Sequence, residues 1–212
     1  MVKFIILRHG FSVFNRENKF TGQCDVELDG AGYEQARDTA DYVLKNYKID
    51  AIYSSDLKRA IETAAPIANA LKLPIHKSKD LRELDVGEWG GLTFSEVKER
   101  YPKEFAHYRT EVGTARCGGG ECYAELSERA DKVMRKIAYE NDGKTVLVST
   151  HGGVVSCLLC KSFNVPLTEK KNLPRVPNAS ITVAEYNGDK FVYVLVGYDK
   201  HLENRITESN LS

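Results

Sequence analysis

Val2-Lys3-Phe4-Ile5-Ile6-Leu7 runs directly into Arg8-His9-Gly10, and this stretch decides the fold. The apolar run reads as a short buried strand. A guanidinium and an imidazole are thereby delivered to its carboxyl end, where open α/β sheets place their ligand crevices. Far along the chain, Thr145-Val-Leu-Val-Ser-Thr150 makes a second apolar strand, and His151-Gly152-Gly153 follows it. Two strand-end histidines, each followed by glycine, point to one site that binds an anion and does chemistry on it.

Around these two strands, helical and strand patterns alternate, the signature of a mostly parallel sheet covered on both faces. Gly30 to Asn46 carries Ala36, Ala40, Val43 and Leu44 at helical intervals. Ala51 to Ser54 reads as a strand, and Asp56 to Leu71 as a helix with its acid suited to the first turn. Leu73 to His76 is another short strand. Helices follow at Glu125 to Asn141 and Gly153 to Phe163. Ile181 to Tyr186 and Phe191 to Tyr198 form a hairpin about Asn187-Gly188-Asp189. Between them, Phe11 to Asp29 is polar and irregular. Lys79 to Gly120 is weakly periodic, with one helix from Ser95 to Tyr101, and irregular chain of that length inside a domain is usually functional. The expected fold is a three-layer α/β sandwich in one domain, residues 1–212. About 80–120 forms a substrate-covering insertion, and 202–212 forms a mobile tail.

Composition narrows the function. The chain has 212 residues, with 30 Lys plus Arg balanced by 30 Asp plus Glu. Net charge therefore gives no reason to expect nucleic-acid or membrane partners, and any basic site must be local. There is no apolar run of membrane-spanning length and no signal-peptide pattern. The five cysteines are odd in number and scattered, as reduced thiols of a cytoplasmic protein would be. Cys157 and Cys160 lack a second ligand pair and read as small core residues of a helix.

Topology brings five side chains to one edge of the sheet: Arg8, His9, Arg59 in the first turn of its helix, Glu83 after the third strand, and His151. Two arginines and two imidazoles about one point suit a dianion such as a phosphoryl group, which arginine holds with paired, fixed donors. A neutral imidazole can attack phosphorus, and a phosphohistidine intermediate divides the transfer into two steps. The surrounding cations neutralise the equatorial oxygens, so neither metal nor cofactor is called for. A carboxyl such as Glu83, its pKa raised, can protonate the leaving alkoxide and then activate water.

Leu7-Arg8-His9-Gly10 with Ser12 and Asn15, Ser54-Ser-Asp-Leu-Lys-Arg59, Arg82-Glu83 with Gly87-Glu-Trp-Gly90, and Thr150-His151-Gly152 together resemble the histidine phosphatase superfamily. The resemblance is to the branch that holds cofactor-dependent phosphoglycerate mutases and their phosphatase relatives. It runs in order from Phe4 to about Tyr186. It implies that His9 is the phosphorylated nucleophile and that Arg8, Arg59 and His151, with Gly152 beside it, form the phosphate pocket. Asn15 is then a phosphoryl contact, Glu83 the proton donor and acceptor, and Thr21-Gly22 part of a first loop facing substrate. Gly118-Gly-Gly-Glu121 resembles the family's glycine-rich turn. The chain departs from the pattern at Phe11, where many relatives carry an acid, at Ser156, where many carry arginine, and at Cys122.

A hydrolase acting on a small phosphorylated metabolite is the expected activity. The alternatives are a mutase, which returns the phosphoryl group to a bound acid, and a module that binds phospho-ligands without turnover. The run Arg82 to Gly91 resembles the phosphatase branch, whereas Phe20 to Leu28 resembles the mutase form of the first loop. The leaving-group pocket is expected from the irregular segment with Phe11, Phe14 and Gln23. Trp89 is expected to pack that segment, and Tyr101, Tyr108 and Tyr123 are candidate substrate contacts. His76, His107 and His201 have no such context and read as structural or exposed. Oligomeric state is open, with a homodimer among the options.

Overall fold

The computed structural model describes residues 1–202. Its sheet has six strands: β1 (Val2–Arg8), β2 (Ala51–Ser55), β3 (Ile75–Ser78), β4 (Thr145–Thr150), β5 (Ile181–Tyr186) and β6 (Phe191–Tyr198). Their order is β3-β2-β4-β1-β5-β6. The first four are parallel, and the β5–β6 hairpin adds an antiparallel edge.

The unbroken apolar run of β1 follows from burial on both faces. Phe4 and Ile6 pack among residues of α6 (Tyr123–Glu140) and α7 (Gly152–Phe163), whereas Ile5 and Leu7 pack among those of α2 (Gly30–Asn46) and α3 (Lys58–Leu71). All four are fully buried. Such side chains each contribute about 1.5–3 kcal/mol of transfer free energy. Asp29 caps α2 by accepting from the Gly32 N–H at 2.8 Å.

Register places the chemistry. Leu7 lies opposite Ser149 and Arg8 opposite Thr150, so the chain leaves both central strands at the same level. The His9 N–H donates to the Thr150 carbonyl at 2.9 Å, continuing the ladder one residue past the strand. β2, on the other side of β4, ends at the same edge and leads into α3.

The structure departs from the sequence reading in several places. The Phe11–Asp29 stretch contains a helical turn, α1 (Val13–Arg16), closed by a reciprocal cap between Ser12 and Asn15. The weakly periodic segment holds two helices, α4 (Phe94–Arg100) and α5 (Pro102–Thr110). Pro102 supplies the first position of α5, where a missing N–H costs nothing. This segment packs through aromatic rings: Trp89, fully buried, lies 5.4 Å from Phe20 and 5.5 Å from Tyr108 between ring centroids. Asp56 precedes α3 rather than entering its first turn, and takes a bidentate pair from Arg82 at 2.6 and 2.7 Å. The third strand starts at Ile75, not Leu73. Leu202 is buried in a 3-10 turn against α2, and the rest of the expected tail lies outside the described residues.

Candidate active site

His9 and His151 meet at the carboxyl ends of β1 and β4. Their ring centroids are 5.1 Å apart, in an edge contact. His9 is 4% exposed and His151 fully buried. The His9 Nδ1 lies 2.7 Å from the Gly10 carbonyl oxygen. A carbonyl only accepts, so Nδ1 carries the proton and Nε2 keeps its lone pair. Burial first, then the Arg59 and Arg8 charges, holds His9 well below its ordinary pKa of 6.5. His151 is depressed by burial and by Arg59, His9 and Arg8. Both rings are therefore neutral at pH 7.

Two guanidinium groups complete this cluster. Arg59, in the first turn of α3, is fully buried, and desolvation lowers its pKa to about 10, so it stays charged. It donates to the Gly22 carbonyl at 2.7 Å and the Cys24 carbonyl at 2.8 Å, which fixes the first loop. Arg8 donates to the Val176 carbonyl at 2.7 Å. The Nε of each arginine and both ring nitrogens of His151 are buried without a partner among the described residues. Unsatisfied buried donors are costly, and several in one cluster mark a place that awaits an acceptor. A phosphoryl group supplies such oxygens.

Glu83 arrives from the other side. Its Oε1 accepts from the Leu84 N–H at 2.8 Å, and its Oε2 accepts from the Gly153 N–H at 2.9 Å, in the first turn of α7. The His-Gly-Gly sequence now has a packing reason. A methyl group at 152 would sit 3.2 Å from Arg8 Nε, and one at 153 would overlap the Glu83 carboxylate. Glu83 and Arg8 both face a cavity of about 930 Å³.

Asn15 and Gly22 hold supporting positions. The Asn15 amide oxygen accepts from the Ser12 N–H and hydroxyl at 3.0 and 2.9 Å, and from Asn178 at 3.3 Å. Gly22 holds Arg59 through its carbonyl, whereas the Thr21 hydroxyl reaches back to Lys19 at 3.5 Å. Thr21, Gly22, Phe11, Phe14 and Gln23 stand outside the lining of that cavity, as do His9, Arg59 and His151. Phe11 lies under Arg16 and Phe14 under Lys19, while Gln23 is spent on the Glu83 carbonyl and Arg82. The outer wall comes instead from the segment after α7, Lys170 to Pro177, together with Tyr108 and Tyr123. Tyr101 turns away and donates to Glu88.

Three contributors escaped the sequence reading. Asn178 donates to the His9 carbonyl at 3.1 Å and bridges to Asn15, tying the strand end to the first loop. Arg129 donates to the Asp80, Arg82 and Glu83 carbonyls and pairs with Glu121, bracing the segment that carries Glu83. Thr63 accepts the Gly10 N–H at 2.9 Å. Asn178 follows a proline in a polar stretch, and Arg129 sits among the charges of an amphipathic helix, so neither stands out locally. Cys157 and Cys160 are buried core residues of α7, and His76 and His107 are exposed. His201 lies 2.9 Å from the Thr39 hydroxyl, away from this site.

The histidine phosphatase superfamily (branch 1) model matches residues 4–199. The chain is 35% identical over 206 residues to phosphoglycerate mutase-like protein 4 of Arabidopsis thaliana, covering 95% of this chain and 87% of that one. It is 30% identical over 210 residues to phosphoserine phosphatase 1 of Hydrogenobacter thermophilus, covering 99% of each. A solved structure of phosphoserine phosphatase from Entamoeba histolytica, in complex with 3-phosphoglyceric acid, aligns with a TM-score of 0.84 at 25% identity, over 95% of this chain and all of that one. With the paired histidines and arginines in place along the matched length, the chain belongs to the histidine phosphatase superfamily.

Proposed function

We propose that this protein hydrolyses small phosphomonoesters through a phosphohistidine at His9, in one domain built on the six-stranded sheet. The observation that carries the reading is the His9 ring, neutral and pinned through Nδ1 to Gly10, with its Nε2 lone pair free to attack and its ring edge-on to His151.

The steps follow from these groups. Arg8, Arg59 and His151 receive the equatorial phosphoryl oxygens, with Asn15, Thr21, Gly22 and Gly152 around them. The two guanidinium charges are in place before reaction, so little reorganisation accompanies it. His9 Nε2 attacks phosphorus as the bond to the leaving oxygen breaks, and the Glu83 carboxyl serves as the acid that gives a proton to that oxygen. Water then enters on the Glu83 side. Glu83 takes a proton from it, the new P–O bond forms, the P–N bond breaks, and inorganic phosphate leaves. Splitting the transfer lets one neutral imidazole serve both halves.

Carboxylate-bearing metabolites of the size of phosphoserine or 3-phosphoglycerate suit a cavity of about 930 Å³ with several cationic side chains on its wall. The five free thiols fit work in the cytoplasm, and no helix among the described residues is long and apolar enough to cross a membrane. The mutase reading keeps its support from the first loop and from the Arabidopsis relative.

Phosphate release from a panel containing phosphoserine, 3-phosphoglycerate and an aryl phosphate, without added metal, tests the proposal. Release that disappears in His9→Ala is the expected result. Interconversion of 2- and 3-phosphoglycerate without net release would assign a mutase instead.

A further inference from the structure

The cavity holds more positive charge than a phosphoryl group requires. Arg8, Lys170, Lys171 and Arg175 line it, and Glu83 is the one carboxylate among the described residues that do. Arg8 belongs to the phosphoryl end. α7 offers Ser156 to the same wall, a side chain with no charge. The cation on this side comes instead from Lys170, in the 3-10 turn Leu167–Asn172.

Lys170 is placed unlike a surface lysine. It is half-buried, its Nζ lies 3.3 Å from the centroid of the Tyr123 ring, and it makes no ion pair among the described residues. Tyr123 is itself buried and lines the cavity beside Glu83. A ring face attracts an ammonium but leaves its N–H donors without an oxygen acceptor. Desolvation lowers the pKa of Lys170, a cost that a bound anion would relieve. A flexible ammonium with three donors, parked on a ring at the edge of a cavity, is poised to take a carboxylate.

The geometry points to Lys170, on the cavity wall against Tyr123, as the residue that reads a carboxylate on the leaving group. This assignment rests on the phosphomonoester reading and adds to it a specificity determinant. Productive substrates then carry two anionic ends. Arg8, Arg59 and the histidines hold the phosphoryl group, and Lys170 holds the carboxylate, which sets the ester bond against Glu83.

Two ester pairs that differ at the carboxylate separate this role from a structural one: 3-phosphoglycerate against glycerol 3-phosphate, and phosphoserine against phosphoethanolamine. In Lys170→Met, the ratio of kcat/KM within each pair should fall by about 10- to 100-fold, the range expected for one hydrogen bond to a charged group. Lys170→Arg should recover most of that ratio. The same comparison is made by calorimetric binding in His9→Ala, with and without Lys170→Met. Binding does not require turnover, so a failed hydrolysis assay would sink the phosphatase reading while the binding ratio still judged Lys170. Ratios unchanged by Lys170→Met, or an equal loss on both members of each pair, would overturn the proposal.

Discussion

Two residues divide the work at the centre, and their environments differ for reasons that can be tested. Glu83 is held by two backbone N–H groups, one of them at the start of α7. Glu83→Gln should lower kcat for alkyl phosphates by about 10²–10⁴-fold, the usual share of general acid–base catalysis, and lower it far less for an activated aryl phosphate. Equal losses on the two would argue against its role as acid. Gly153→Ala reaches the same group from the other side, because its methyl overlaps the carboxylate. It should reproduce the leaving-group dependence of Glu83→Gln while leaving the circular dichroism spectrum unchanged; a variant with native kinetics would show that Glu83 tolerates displacement. The histidines and arginines were legible in the sequence because each sits at a strand end or opens a helix, and Glu83 because its segment resembles the family's. Asn178 was not. Its contribution is a contact across 169 residues to the His9 carbonyl, which no local pattern records.

At the scale of elements, the reading succeeded where hydrophobic periodicity is strong and failed where side-chain contacts carry the structure. β5 and β6 have the expected bounds, since alternation and an Asn-Gly-Asp turn specify a hairpin. The segment from Lys79 to Gly120 lacks a clear period because its helices are short and its order comes from aromatic rings and half-buried ion pairs. Phe11, Phe14 and Gln23 stand outside the lining of the 930 Å³ cavity, Phe11 and Phe14 beneath cationic side chains and Gln23 bonded to the Glu83 carbonyl. Proximity in sequence to His9 says nothing about which way a loop side chain turns. Arg129 is the brace of this region, donating to three carbonyls and pairing with Glu121 where both side chains are mostly buried. Arg129→Ala should cost about 2–4 kcal/mol in urea unfolding, because it strands a carboxylate and several carbonyls at once. A loss under half a kilocalorie would mean that water replaces the guanidinium freely.

For the whole molecule, two buried neutral histidines make stability depend on pH. Their pKa values are lower in the folded protein than the ordinary 6.5. Between the folded and unfolded values the unfolded chain binds more protons, so stability is intact above about 6.5 and falls as pH drops below it. The slope approaches about 1.4 kcal/mol per pH unit for each histidine. Melting temperature should therefore decline from pH 7 to pH 5.5, and His151→Asn should flatten that decline. A wild-type melting temperature that rises over this interval would contradict the burial of neutral rings. The same depression leaves His9 unprotonated at neutral pH, the state that the proposed nucleophile needs, so one arrangement of burial and charge serves both the stability profile and the proposed chemistry.

The covalent intermediate is the claim on which the rest depends. Wild-type protein mixed with a ³²P-labelled phosphomonoester, quenched in base within milliseconds and digested for mass spectrometry, should carry an acid-labile phosphoryl group on the peptide containing His9. The His9→Ala protein should carry none. Rapid phosphate release with no labelled His9 peptide, or label that persists in His9→Ala, would contradict the account.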